Sequence, residues 1–169
     1  HVAGIETNLR YLRQVCATET FREGGVSTSF LRDFPYRRRA IEVIDGGAQT
    51  TVQDYPGRLG YWHVGVPPSG PIDALAFRLA NRLVGNMADA AGLEIAAMGP
   101  KLRFAGDAVI ALAGADFQAT LDGEQAPMWT AIRVPDGSVL ELKTAKGSGA
   151  QEILPVSRWP GDRPPKPRH

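Results

Sequence analysis

The sequence is that of a mainly β fold of the α+β class with one main helix, and three observations support this. From Ala40 onward apolar residues recur with period two, beginning Ile41, Val43. Strand-length apolar runs then follow one another, bounded by glycine, proline or Asp-Gly, as far as Leu142. Among them lies a single long stretch of helical periodicity, Ile72–Val84. Short strands at this cadence suit an antiparallel barrel or sandwich better than a parallel α/β sheet. A chain of 169 residues suffices for one domain with a modest core, and a formal net charge of +1 gives no case for nucleic acid or an anionic membrane as partner.

In chain order, Asn8–Ala17 places Leu9, Leu12 and Val15-Cys16 at helical spacing, which predicts an amphipathic helix capped by Thr7 or Asn8. Cys16 falls on its apolar face and reads as a buried structural thiol, with no basic or histidine neighbour to activate it. Phe21–Gly25 reads as a turn and Ser27–Phe34 as a second short helix. Pro35 through Arg39 is a linker whose three arginines suit solvent. The β pattern then runs through Ile41–Ile44, a Gly46-Gly47 turn and Thr50–Val52. After the helix and its Gly85-Asn86 stop comes a short turn or helical segment, Met87–Ala91. The remaining strands are Leu93–Ile95, Lys101–Phe104, Ala108–Ala113, Gln118–Leu121, Met128–Val134 and Val139–Leu142.

Thr50–Asn86 carries the chemistry. A strand ends in Gln53-Asp54, a turn through Pro56-Gly57 aims Arg58 away, and Gly60, Gly65 and Pro67-Pro68 extend the loop. Ser69-Gly70-Pro71 then opens the helix, with Asp73 near its positive end. On the helix, Ile72, Leu75, Ala76, Leu79 and Leu83 share one face. Such a loop either only makes turns or leaves backbone N–H groups free for an anionic or carbonyl ligand. Glu94, alone in an apolar strand, reads as an outward residue, a satisfied buried hydrogen bond or a catalytic carboxylate. There is no Ser-His-Asp elbow, Walker loop or CxxC, and His1, His63 and His169 are too scattered for a metal site.

The run TTVQDYPGRLGYWHVGVPPSGPIDALAFRLANRLVGN, followed by LEIAAMGPKLRF, resembles the opening of the subunit-2 (KipA-like) carboxyltransferase domain. That domain occurs in urea carboxylase, in urea amidolyase and in a bacterial 5-oxoprolinase component. The resemblance is continuous from Ile41 to Gly99-Pro100 and weaker to Ala145. GIETNLRYLRQV and FREGGVSTSFL are similar to the last segment of a biotin carboxylase domain. The resemblance implies a partial cyclophilin-like β-barrel with one main helix, preceded by a short helical tail. It divides the chain into 1–36 (biotin carboxylase tail), 37–40 (linker) and 41–145 (N-terminal part of the carboxyltransferase domain). The proline-rich stretch 146–169 reads as a disordered or frameshifted tail with little to bury, unable to pair as a central strand.

The order of these segments is that of urea carboxylase, so the resemblance implies transfer of a carboxyl group from carboxybiotin to urea, giving allophanate. Biotin would sit on a carrier domain outside this chain, and ATP and magnesium would serve the missing biotin carboxylase body. The implied partners are urea or a similar small amide, the rest of the biotin carboxylase, a subunit-1-like carboxyltransferase domain and the biotin carrier. By motif position, Asp54, Arg58 and Asp73 fall to catalysis and Gln53, Ser69 and Gly70 to substrate binding, with Asn81 in support. Two alternatives are a 5-oxoprolinase component and a KipA-like module acting on a histidine kinase through a partner. Absence of an initiator methionine suggests a fragment. A single cysteine, no signal peptide and no apolar run of membrane length give a cytoplasmic expectation.

Overall fold

The structure is a computed structural model that describes residues 8–36, 39–145 and 151–158. The arginines at 37–38, residues 1–7 of the helical tail, and 146–150 and 159–169 of the terminal stretch lie outside the described residues. The described residues fall into two compact units, 8–36 and 39–158.

The first unit holds α1 (Leu9–Ala17) and the four-residue α2 (Glu19–Arg22). Val15 is buried while Leu12 and Cys16 are exposed, so the expectation of a buried thiol is corrected. The helix turns Val15 inward, and Cys16, the next residue, is carried about 100° away. Thr18 ends α1 and caps α2, accepting from Phe21 N–H. Residues 28–33 form turns rather than the expected second helix. They bring Phe30 and Phe34 together, and Tyr11 meets Phe34 and Tyr36 edge to face at 5.6 and 5.5 Å.

The second unit is strand-rich, in agreement with the mainly β expectation. In order come β1 (Ala40–Asp45), β2 (Gln49–Gln53), the 3-10 turn Trp62–Val64, α3 (Ala74–Leu83), β3 (Gly92–Ala96), β4 (Lys101–Ala105), β5 (Ala108–Ala111) and β6 (Ala113–Gly114). Then follow β7 (Thr120–Leu121), β8 (Glu124–Gln125), β9 (Ala131–Val134), β10 (Val139–Glu141), β11 (Gln151–Leu154) and β12 (Val156–Arg158). Every ladder between them is antiparallel. The described strands form three sheets, β1-β4-β10-β7-β8, β2-β3-β11-β6 and β12-β5-β9, rather than one closed barrel. Ile95, Leu102, Phe104, Ile110, Leu112, Phe117, Val134, Leu140 and Leu154 join them in one core. Where β7 turns into β8, Asp122 accepts from Val139 N–H at 2.8 Å. This bond, with one from Ser138, holds its carboxyl below the usual carboxylate range.

The terminal stretch corrects the reading of a tail with little to bury. β11 is an interior strand between β3 and β6, Ile153 and Leu154 are fully buried, and β12 pairs with β5. Of the five prolines counted against it, only Pro155 falls among the described residues. It stands between the two strands, where the missing N–H removes no ladder bond and its carbonyl still accepts from Ala111.

A further correction concerns α3, which begins at Ala74 rather than Ile72 and buries Ala76, Phe77, Ala80 and Asn81. The inward face is thus turned about one residue, or ~100°, from the leucine face. Ile72, Leu75, Leu79 and Leu83 remain exposed. Alanines at 76 and 80 let the helix lie close on Ala113 of β6 and Ile153 of β11, with Phe77 filling the gap. Leucines on that face would hold the helix off the sheet. Past the C-cap at Val84, Gly85 at φ +80° and the bond from Asn86 N–H to the Asn81 carbonyl close the helix as expected.

If β11 is an interior strand, Ile153→Ala should lower unfolding free energy by about 2–4 kcal/mol, measured by denaturant melts. A change below about 0.5 kcal/mol would mean that Ile153 is not in the core.

Candidate functional site

β2 and β3 pair with Thr51 opposite Glu94 and Gln53 opposite Gly92. Opposite residues share a face, and on this one lie the α3 helix and the segment leading into it, with Phe77 against Gly92. Two side chains reach from these strands to that segment. The Gln53 carboxamide oxygen accepts from Gly70 N–H at 3.2 Å while its nitrogen donates to Thr51 Oγ1 at 3.1 Å. Two residues further, the Glu94 carboxylate, only 6% exposed, accepts from Ile72 N–H at 2.7 Å. Asp73 then caps the helix, accepting from Ala76 N–H at 2.8 Å.

The chain leaving Gln53 passes a cis Tyr55–Pro56 bond and folds back onto the same segment. Gly57, at φ +94°, lies so close that a Cβ there would stand 1.9 Å from the Ser69 carbonyl oxygen. Gly70, at φ +119°, is likewise pressed on Pro56. Backbone therefore meets backbone with no room for a side chain. Asp54 and Arg58, at the two ends of this turn, form an ion pair, with both side chains nearly half exposed. Behind the turn Tyr55 packs on the Ala76–Phe77–Ala80 cluster and carries the Arg78 guanidinium 5.0 Å from its ring centre.

Gln53, Asp54, Arg58, Ser69 and Gly70 are thus brought together, with Asp73 adjoining them in the cap. Asn81 is not among them. It lies about 12 Å along the helix from Asp73 and is fully buried. Its amide donates to the carbonyls of Ala90 and Phe77 and its oxygen accepts from Asn86, so it ties the following turn to the helix. The expectation of free backbone donors is also corrected at Gly70, Ile72 and Ala76, whose N–H groups are taken by Gln53, Glu94 and Asp73. What the turn presents outward is the Asp54–Arg58 pair. A guanidinium has five N–H donors, and Asp54 engages Nη1, so the pair combines further donors with an acceptor, a set suited to a small planar amide or carboxylate.

Sequence reasoning left the role of Glu94 open and passed over Tyr55 and Arg78. The signal for Glu94 was its isolation in an apolar strand. Its partner, the Ile72 amide far upstream in the chain, has no sequence signature. Among the described residues no group of three or more His, Cys, Asp or Glu is gathered to hold a metal ion, and no helix is long and apolar enough to cross a membrane.

Residues 64–158 match the family described as carboxyltransferase domain, subdomain A and B. The urea amidolyase of Saccharomyces cerevisiae is 44% identical over 141 residues, covering 83% of this chain and 8% of that protein. A 5-oxoprolinase component of Escherichia coli is 41% identical over 119 residues, covering 69% of this chain and 37% of that component. The crystal structure of the Kluyveromyces lactis urea carboxylase superposes with a TM-score of 0.69 at 44% identity, covering 90% of this chain and 14% of the enzyme. The chain therefore spans only a small part of the urea-metabolising relatives it matches.

The contact between Gly57 and Ser69 makes a direct prediction. Gly57→Ala should destabilise the unit by more than ~1 kcal/mol, because the site combines a left-handed φ with overlap on backbone. Thermal melts that coincide with the wild type would show that the two segments are not in contact.

Proposed function

Because the chain belongs to the carboxyltransferase family, subdomain A and B, we propose that its β-rich unit is the N-terminal part of the carboxyltransferase domain of a biotin- and ATP-dependent urea carboxylase. The preceding helical segment is then the end of that enzyme's biotin carboxylase domain. One observation carries the choice over the alternatives. The match to the Kluyveromyces lactis enzyme covers 90% of the chain and so must include residues before Arg39, whereas the 5-oxoprolinase match, at 69%, fits within the β-rich part alone. The regulatory-module alternative leaves those residues unexplained in the same way.

Carboxybiotin, presented by a carrier domain, would supply the carboxyl group, and the exposed donors of Arg58 fit a carboxylate or urea carbonyl oxygen. On this reading Arg58 binds and orients that oxygen, holding the developing negative charge by charge-assisted hydrogen bonds. Asp54 fixes the guanidinium plane and would accept the proton lost by the attacking urea nitrogen as the new N–C bond forms and the carboxyl carbon's bond to the biotin nitrogen breaks, that nitrogen then taking up the proton. Gln53, Ser69 and Gly70 set the height of the turn through the Gln53–Gly70 bond and the Ser69–Gly57 contact. Asp73 holds the first turn of the helix beneath it, and Asn81 anchors the far end.

The roles separate by substitution in the full-length enzyme. Arg58→Ala should cut urea-dependent turnover about a hundredfold and leave bicarbonate-dependent ATP cleavage in place. Asp73→Ala should remove about 1 kcal/mol of stability through loss of the cap and leave turnover within a few-fold. The checks are a thermal melt and paired assays with and without urea. Unchanged urea turnover in Arg58→Ala would overturn the assignment.

A further inference from the structure

We propose that Glu94, buried in β3 and distant in sequence from the loop, is a positioning residue for the Asp54–Arg58 turn, which sets substrate geometry through a chain of backbone contacts. The proposal rests on the carboxyltransfer reading above. Its first link is the bond from Ile72 N–H to Glu94 Oε1 at 2.7 Å. The next is the parallel bond from Gly70 N–H to Gln53. Since Thr51 is opposite Glu94 and Gln53 opposite Gly92, the two acceptors sit one step apart on one face of paired strands, and the two donors are also two residues apart. A segment with alternate N–H groups held this way has its height and direction over the sheet defined. The third link is contact without slack, because Gly57 is pressed on Ser69 and Gly70, and Arg58 follows Gly57 directly.

A carboxylate is an expensive way to satisfy one amide. It occupies an interior strand position, is buried there, and its Oε2 engages none of the described residues. An apolar residue there would save the desolvation of a charge at the expense of the Ile72 amide's partner. What the carboxylate adds is a short, strong, directional bond that holds Ile72 in one place. Without it, the stretch between the Gln53 bond at 3.2 Å and the Asp73 cap has no hold at Ile72, so it could shift between those two points, and the Gly57 turn would move with it.

The test compares Glu94→Met, which fills the space without an acceptor, with Glu94→Gln, which keeps an acceptor oxygen, in the full-length enzyme carrying this segment. Measured quantities are kcat and KM for urea, bicarbonate-dependent ATP cleavage and Tm. Glu94→Met should lower kcat/KM for urea at least tenfold with ATP cleavage within twofold, and Glu94→Gln should restore kcat/KM to within threefold of wild type. Glu94→Asp, a milder variant that draws the oxygen back by one methylene, should lower kcat/KM at least fivefold and provides the reading if Glu94→Met does not fold. A kcat/KM within threefold of wild type in Glu94→Met or Glu94→Asp, with Tm alone reduced, would make the residue structural and overturn the proposal. Equal losses in Glu94→Met and Glu94→Gln would overturn it as well, because the acceptor would then not be what matters. Wild-type enzyme that does not consume urea overturns the carboxyltransfer reading instead, and the Met-to-Gln ratio is then read with the amide it does consume.

Discussion

The placement of the long loop in the second unit depends on two hydrogen bonds that join it to a sheet. Gln53 takes the N–H of Gly70 and Glu94 takes the N–H of Ile72. Without them the twenty residues between β2 and α3, a loop longer than those that usually connect elements in a compact domain, would lose their hydrogen bonds to the sheet and keep the packing of Tyr55 on the helix. With them, Asp73 is delivered to the N-cap of α3, and Gly57 and Gly70 can meet backbone to backbone. Each of these contacts requires the others. A side chain at Gly57 would lift the turn from Ser69 and Gly70, and the Asp54–Arg58 pair would move with it.

The β pattern was legible because its signals are local. Period-two alternation at Ile41 and Val43, the Gly99-Pro100 break, the Asp122-Gly123 turn and the Gly85 stop each act within a few residues, and the structure has strand, turn or helix end at each. The faces of elements were less legible. Leu75, Leu79 and Leu83 outweigh Ala76, Phe77 and Ala80 in hydrophobicity, yet the smaller residues face the sheet because closeness to Ala113 and Ile153 is decided by shape. Cys16 failed in the same way, one residue round the helix from Val15.

Composition misled at the end of the chain. Five prolines after residue 150 suggested a segment unable to pair, but Gln-Glu-Ile-Leu before Pro155 holds enough apolar surface for an interior strand, and the proline falls at the crossing between two sheets. The stretch stood out because glycine and proline density marked it, and the family was legible as a resemblance, which the match over 64–158 supports. How the stretch's polar side chains are partnered was not legible. Asp73 and Asn81 resemble Asp54 and Arg58 as polar residues of the same stretch, and only the folded chain shows the first two hydrogen-bonded to backbone while the other two form a half-exposed pair.

Amide hydrogen exchange on this chain tests the central interaction most directly, because it reads the Gly70 and Ile72 N–H groups one by one. If the two side-chain acceptors hold them, both should exchange as slowly as the ladder amides of β3, with protection lost only when that sheet opens. Exchange of Ile72 at the rate of an unprotected loop amide, while the β3 amides stay protected, would contradict the account.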